Sequence, residues 1–146
     1  MRNVRLLAES AKEVSRKLGL LSTQAKNQIL EKIADTLTEG IPKILAANKK
    51  DMATGKIKGL TDGLLDRLLL TEQRLKSSIS DIRKTIELKD HVGIVIESRE
   101  LPNGLFIKRV RVPLGVVAMI YEARPNVTID AAVLCLKSGN AVILKG

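Results

Sequence analysis

Along the first ninety residues, apolar positions recur every three or four residues. Val4, Leu7, Ala11, Val14 and Leu18 make one helical face that Gly19 can end. Ser22 is placed to cap a second helix, with Ile29, Leu30, Ile33, Ala34 and Leu37 inside and Gly40 past its end. Pro42 suits the first turn of a third helix running through "KILAANKKDMA". Gly55, Gly59 and Gly63 break the following stretch and predict an exposed loop over "TGKIKGLTDG". A short apolar helix follows in "LLDRLLL", and Thr71 opens a last one with Leu75, Ile79, Ile82 and Ile86 on one side.

At His91 the period shortens. "VGIVIESRELPNGLFIKRVRVP" holds two β-rich runs around Pro102-Asn103-Gly104, and Asn-Gly between strands predicts a hairpin with a type I′ turn. Two strands alone are marginal in water, so this hairpin should lie on something else. After Pro113, the run Val116–Tyr121 is nearly all apolar, as in a strand buried on both faces. A polar loop over Glu122–Thr128, a helix over Ile129–Lys137 and a second buried strand over Ala141–Leu144 complete a right-handed βαβ unit. The fold class is α/β, and the strand ends and loops of such a unit are where ligands bind. The pattern divides the chain into a helical part, 1–90, a hairpin, 91–112, and a βαβ unit, 113–146.

Composition narrows the function classes. Phe106 and Tyr121 are the only aromatic residues, so any core is built from Leu, Ile, Val and Ala. The net charge of +9 is spread out, with a surplus of six before residue 91 and three after it. Single-strand nucleic-acid binders need aromatic platforms beside a basic groove, and two aromatics cannot supply them. One Cys and one His exclude a zinc finger. A solvated basic surface with no nucleic-acid partner is the expectation. No apolar run approaches the ~20 residues of a membrane span, and the charged N-terminus lacks the apolar segment of a signal peptide. A cytoplasmic protein without a membrane partner follows as an expectation. A single cysteine also excludes an internal disulfide.

Motifs carry the reading further. "YEARPNVTIDAA" and "CLKSGNAVILKG" resemble signatures of the γ-glutamyl phosphate reductase family, within the aldehyde dehydrogenase superfamily. "ILAANKKDM" is similar to a helix of the superfamily, and "GLTDGLLDRLLLTEQR" to the stretch that follows it in this family. The likeness runs over nearly all 146 residues. It implies an aldehyde-dehydrogenase-like fold: N-terminal helices, a hairpin of oligomerisation strands at 93–112, and the start of a Rossmann-like parallel sheet. It also implies that the chain corresponds to the N-terminal third or so of the enzyme, with the catalytic domain and its nucleophilic cysteine beyond residue 146. On that expectation the chain by itself is inactive, or serves as a non-catalytic assembly module pairing with full-length subunits.

The implied chemistry is reduction of L-glutamyl 5-phosphate by NADPH to glutamate 5-semialdehyde and phosphate, in proline biosynthesis. A thiolate attacks the acyl phosphate, phosphate leaves, and hydride reduces the thioester. Asn126, in "RPN", corresponds to the superfamily's oxyanion donor, since a neutral amide can serve developing negative charge without titrating. Spacing alone favours a role in shaping the turn after Pro125, and the motif match reverses that. Lys145 corresponds to a lysine that contacts the cofactor's ribose, while a strand-end lysine can equally reach solvent. Arg124 departs from the superfamily's usual Pro-Trp-Asn pattern; its guanidinium can take a phosphate or carboxylate bidentately, or pair with Glu122. No metal site is expected. Cys135 lies between Leu134 and Leu136 on an apolar helix, where free cysteine behaves as a small hydrophobe, and His91 reads as a surface residue.

Overall fold

The computed structural model describes residues 4–122 and 124–146. The elements run α1 (Val4–Leu18), α2 (Thr23–Ile57), α3 (Asp62–Leu68), α4 (Glu72–Glu87), β1 (Val95–Glu100), β2 (Phe106–Val110), β3 (Val116–Ile120), α5 (Pro125–Lys137) and β4 (Ala141–Lys145). The core forms where α2, α4 and α5 meet. Leu30, Ala34 and Ile41 of α2 pack with Leu75, Ile79 and Ile82 of α4 and Val133 of α5. The Ser22 hydroxyl accepts from the Ala25 N–H at 3.1 Å, and Thr71 accepts from Arg74 in the same way at 3.1 Å. Both caps therefore start helices where the sequence placed them.

The second and third expected helices are one. α2 runs for 35 residues straight through Gly40 and Pro42. An interior proline costs about 3 kcal/mol by losing one hydrogen bond and crowding the preceding turn. Burial on both sides of it outweighs that cost: Leu30 and Ala34 precede it, Ile41 adjoins it, and Ile44 and Leu45 pack on the same core. Farther along, the buried Asn48 amide donates to the Leu68 carbonyl at 2.9 Å and accepts from the Leu70 N–H at 2.8 Å, which ties α2 to the α3–α4 connection. The loop expected over 54–63 shrinks accordingly, because Gly55 is helical. A Cβ there would sit 2.9 Å from a Leu60 methyl and 3.2 Å from one of Leu65. Gly55 is a notch that lets α3 approach, not a helix breaker.

The hairpin forms with a different turn. The Gly104 N–H donates to the Leu101 carbonyl at 2.8 Å, the Leu101 N–H donates to Leu105 at 2.8 Å, and Gly104 has φ +81°. The loop is thus three residues, Pro102-Asn103-Gly104, with proline in the first central position and glycine supplying the left-handed one. Proline's fixed negative φ pre-sets this form, in which Asn103-Gly104 is not the central pair of a type I′ turn. Register runs from Glu100↔Phe106 to Val95↔Val110, with an irregularity between Val95 and Glu97. Every residue of β1 and β2 is exposed, so within the described chain the hairpin lies on nothing.

β3 and β4 pair in parallel, from Val116↔Ala141 to Ile120↔Lys145, with α5 as the crossover. α1 packs against β4 and β3. The strands were expected to be buried on both faces, yet Ala118, Met119 and Ile120 are exposed and only Ala141 of β4 is fully buried. No described element covers the outer face. Among the described residues, no helix is long and apolar enough to cross a membrane.

A buried charge cluster joins the ends of three helices. Lys26 is 1% exposed and pairs with Asp90, which also accepts from the Thr23 hydroxyl at 2.8 Å and the Val92 N–H at 3.0 Å. Beside them the buried Lys137 ammonium donates to Asn27 Oδ1 at 2.7 Å and to the Ile86 carbonyl at 2.8 Å. Burial pulls Lys137 below the ordinary lysine range; the Asp90 charge opposes that shift and the Lys26 charge adds to it.

Candidate functional site

The site sits where β3 hands over to α5. The Tyr121 N–H donates to the Lys145 carbonyl at 2.9 Å, which closes the end of the parallel pair, and its hydroxyl shares a 2.5 Å hydrogen bond with Thr128. Arg124 then takes the N-cap position of α5 in an extended conformation. Pro125 follows as the first helical residue, a position that tolerates its missing N–H. The helix therefore begins four residues earlier than the apolar spacing predicts. Asn126 belongs to its first turn rather than to a loop, so shaping a turn after Pro125 is not what it does.

Arg124 and Asn126 face a cavity of about 360 Å³ between α3, α4 and the start of α5. α3 contributes Asp66 and Arg67; α4 contributes Arg74, Ser78 and Asp81. Asp130 completes it, one turn beyond Asn126, and accepts from the Asn126 amide at 3.4 Å. That contact points the NH₂ of Asn126 toward Asp130 and leaves its second N–H available. Partial desolvation at the cavity wall pushes the Asp130 carboxyl above its usual range although the residue stays exposed; the Asn126 hydrogen bond opposes this, and the nearby Asp81 charge adds to it.

Some of these groups already have partners. Arg74 donates to the Asp66 and Leu69 carbonyls at 2.7 and 2.8 Å and to the Asp66 carboxylate at 2.9 Å, which fixes the wall made by α3. Asp81 pairs with Lys84 at 2.8 Å on the exposed surface of α4. Among the described residues Arg124 has no ion pair, with Glu122 or any other carboxylate, so its guanidinium is free to meet a ligand.

Lys145 lies at the same end of the βαβ unit, opposite Ile120 in register, but does not line this cavity. It is exposed, and its ammonium donates to the adjacent Gly146 carbonyl at 2.6 Å. The structure thus joins Arg124 and Asn126 in one cavity and sets Lys145 apart on the neighbouring strand. Cys135 is half-buried on α5, and burial pushes its thiol up, away from the thiolate a nucleophile needs. His91 is exposed and its Nδ1 accepts from Arg111 at 3.0 Å. No group of three or more His, Cys, Asp or Glu that could hold a metal ion occurs among the described residues.

Sequence reasoning missed Ser78, Asp81 and Asp130. The signal was present as helical spacing: Arg74, Ser78 and Asp81 follow each other by four and three residues, and Asn126 and Asp130 by four.

Known proteins resemble the chain along its entire length. It is 55% identical over all 146 residues to a Bacillus anthracis protein named γ-glutamyl phosphate reductase, of which it covers 35%. A Bacillus cereus protein of the same name is 57% identical over 136 residues, which is 93% of this chain and 33% of that one. The crystal structure of γ-glutamyl phosphate reductase from Thermotoga maritima superposes with a TM-score of 0.91 at 42% identity, over 94% of this chain and 33% of that one. The Saccharomyces cerevisiae structure gives 0.93 at 39% identity, over 100% of this chain and 37% of that one. No protein-family model matches the chain. The chain spans about a third of the length of the curated relatives it matches.

Proposed function

We propose that this chain, related over its whole length to the γ-glutamyl phosphate reductases, supplies the N-terminal, cofactor-side part of such a reductase. The reaction is NADPH-dependent reduction of L-glutamyl 5-phosphate to L-glutamate 5-semialdehyde and phosphate, a cytoplasmic step of proline biosynthesis. Identity of 55% over all 146 residues is the observation that carries this reading. The nucleophilic cysteine comes from residues outside these 146, because Cys135 is packed on α5 with a raised pKa. On this reading residues 1–90 are the helical part of the cofactor-side domain, 91–112 the hairpin and 113–146 its first βαβ unit.

The exposed Lys145 suits the cofactor chemically. Its one hydrogen bond goes to the adjacent Gly146 carbonyl, and it has no ion pair among the described residues. Its other N–H donors can serve ribose hydroxyls or a 2′-phosphate. NADPH, when bound, supplies the hydride. Asn126 donates its amide N–H to the oxyanion that forms at the substrate carbonyl, with Asp130 holding the amide's orientation. Arg124, without a carboxylate partner, receives the phosphate bidentately as the acyl–oxygen bond breaks.

The test is a chimera in which these 146 residues replace the matching segment of the Bacillus anthracis protein. Run in reverse, it should reduce NADP⁺ with glutamate 5-semialdehyde only when phosphate is present. A folded chimera without phosphate-dependent turnover would sink the reading. Within it, Arg124→Lys should raise the KM for phosphate about tenfold, since a point charge replaces a bidentate fork. An unchanged KM would remove Arg124 from phosphate binding.

The hairpin supports a homo-oligomer on the same reading. Val95, Ile96, Phe106, Ile107 and Val110 are all at least 40% exposed on a two-stranded sheet, a surface that recruits a partner strand or face. The chain should sediment as a self-associated species at micromolar concentration; a clean monomer would count against assembly through 93–112.

A further inference from the structure

The cavity between α3, α4 and α5 holds more polar chemistry than an oxyanion donor and a phosphate-binding arginine require. Ser78 lines it and is 8% exposed, and its hydroxyl makes no hydrogen bond among the described residues. No side-chain oxygen sealed from solvent lacks a partner there, so the Ser78 hydroxyl is reached through the cavity itself. A buried hydroxyl kept open to a cavity is what a ligand's polar group would fill.

The charges around Ser78 have both signs. Arg74 is held by three hydrogen bonds to Asp66 of α3 and to Leu69 just past its end. Arg67 has no ion pair among the described residues. On the opposite sign, Asp130 has only the long 3.4 Å contact from Asn126. Asp81 has only an exposed partner, Lys84, and exposed pairs of that kind hold weakly. A purely anionic ligand would meet two carboxylates, and a purely cationic one would meet the arginines. A zwitterion satisfies both sets.

We propose that this cavity binds the α-amino-acid end of the substrate, with the ammonium between Asp130 and Asp81 and the α-carboxylate at Arg67 and the Ser78 hydroxyl. The inference rests on the glutamyl phosphate reading above and adds the residues that separate a glutamyl group from other acyl groups. Arg124 and Asn126, at the start of α5, are left for the reacting end.

The test is equilibrium dialysis of the 146-residue chain with radiolabelled L-glutamate, competed by glutarate, which lacks the ammonium, and by 4-aminobutyrate, which lacks the α-carboxylate. L-Glutamate should bind saturably, and each competitor should be about tenfold weaker. Asp130→Asn and Arg67→Gln both lie on exposed positions and should leave the fold intact. Asp130→Asn should weaken L-glutamate about tenfold without changing glutarate, and Arg67→Gln should do the same relative to 4-aminobutyrate. Equal competition by glutarate, or no saturable binding of L-glutamate, overturns the inference whether or not the chimera is active. An inactive chimera beside intact discrimination by the chain would overturn the reductase reading alone.

Discussion

Lys26→Met should lower the thermal midpoint of this chain by about 10 °C. Breaking a buried pair by removing one partner costs about 3–5 kcal/mol, and a domain near this size loses about 2–4 °C per kcal/mol. The cost comes from the partner left behind. Asp90 would keep its Thr23 and Val92 hydrogen bonds but lose the ammonium it pairs with, leaving only the Lys137 charge nearby, in a site where Lys26 is 1% and Asp90 10% exposed. Burial by itself pushes the Asp90 carboxyl up. Lys26, the Val92 N–H and the Thr23 hydroxyl together outweigh burial and hold it below the usual carboxylate range. A depressed folded pKa means stability that is present above the unfolded carboxylate pKa and lost as pH falls through the folded one. Lys26→Met should therefore also flatten the acid limb of the stability profile. Calorimetry across pH reads both effects, and Lys26→Met combined with Asp90→Asn should recover part of the loss. A fall below about 2 °C would show that the pair contributes little to the fold.

None of that cluster was visible in the sequence, because Lys26, Asp90 and Lys137 come from three separate helix ends and carry no local pattern. What was legible was what the chain decides locally. The face of α4 followed the apolar spacing, whereas in α1 only Ser15 is buried and Val4, Leu7 and Val14 are exposed; Ser22 and Thr71 cap as their side chains predict. The failures have different causes, and at Gly40 and Pro42 the cause is tertiary burial overriding a local signal. Gly40 and Pro42 look like an interruption, but a core that continues on both sides of them keeps α2 whole. Pro125 looks like loop punctuation, but at N1 it begins α5. Ala118, Met119 and Ile120 are apolar because their strand calls for a covering layer, and none of the described elements supplies one. The cavity divides in the same way. Arg124 and Asn126 stand out in a short motif, whereas Ser78, Asp81 and Asp130 read as ordinary polar positions until α4 and α5 are packed together.

Asn126→Ala in the chimera should lower kcat by about 10²–10³-fold while the KM for phosphate changes little, since losing one oxyanion donor acts on the transition state and not on ground-state binding. The position makes the experiment clean. Asn126 is the second residue of α5, where alanine is a good helix former, and among the described residues its side chain makes one 3.4 Å hydrogen bond, to Asp130, and no other. A purely local structural role would therefore cost little stability and little rate, and the two readings differ by orders of magnitude in kcat. Asn126→Asp separates them further. A carboxylate there would face Asp130, and the Asp81 charge already raises Asp130. It would also oppose the negative charge developing on the substrate, so its kcat should fall below that of the alanine variant. If Asn126→Ala keeps kcat within about threefold of the unsubstituted chimera, the amide does not stabilise the transition state. The oxyanion would then have to be met by another donor.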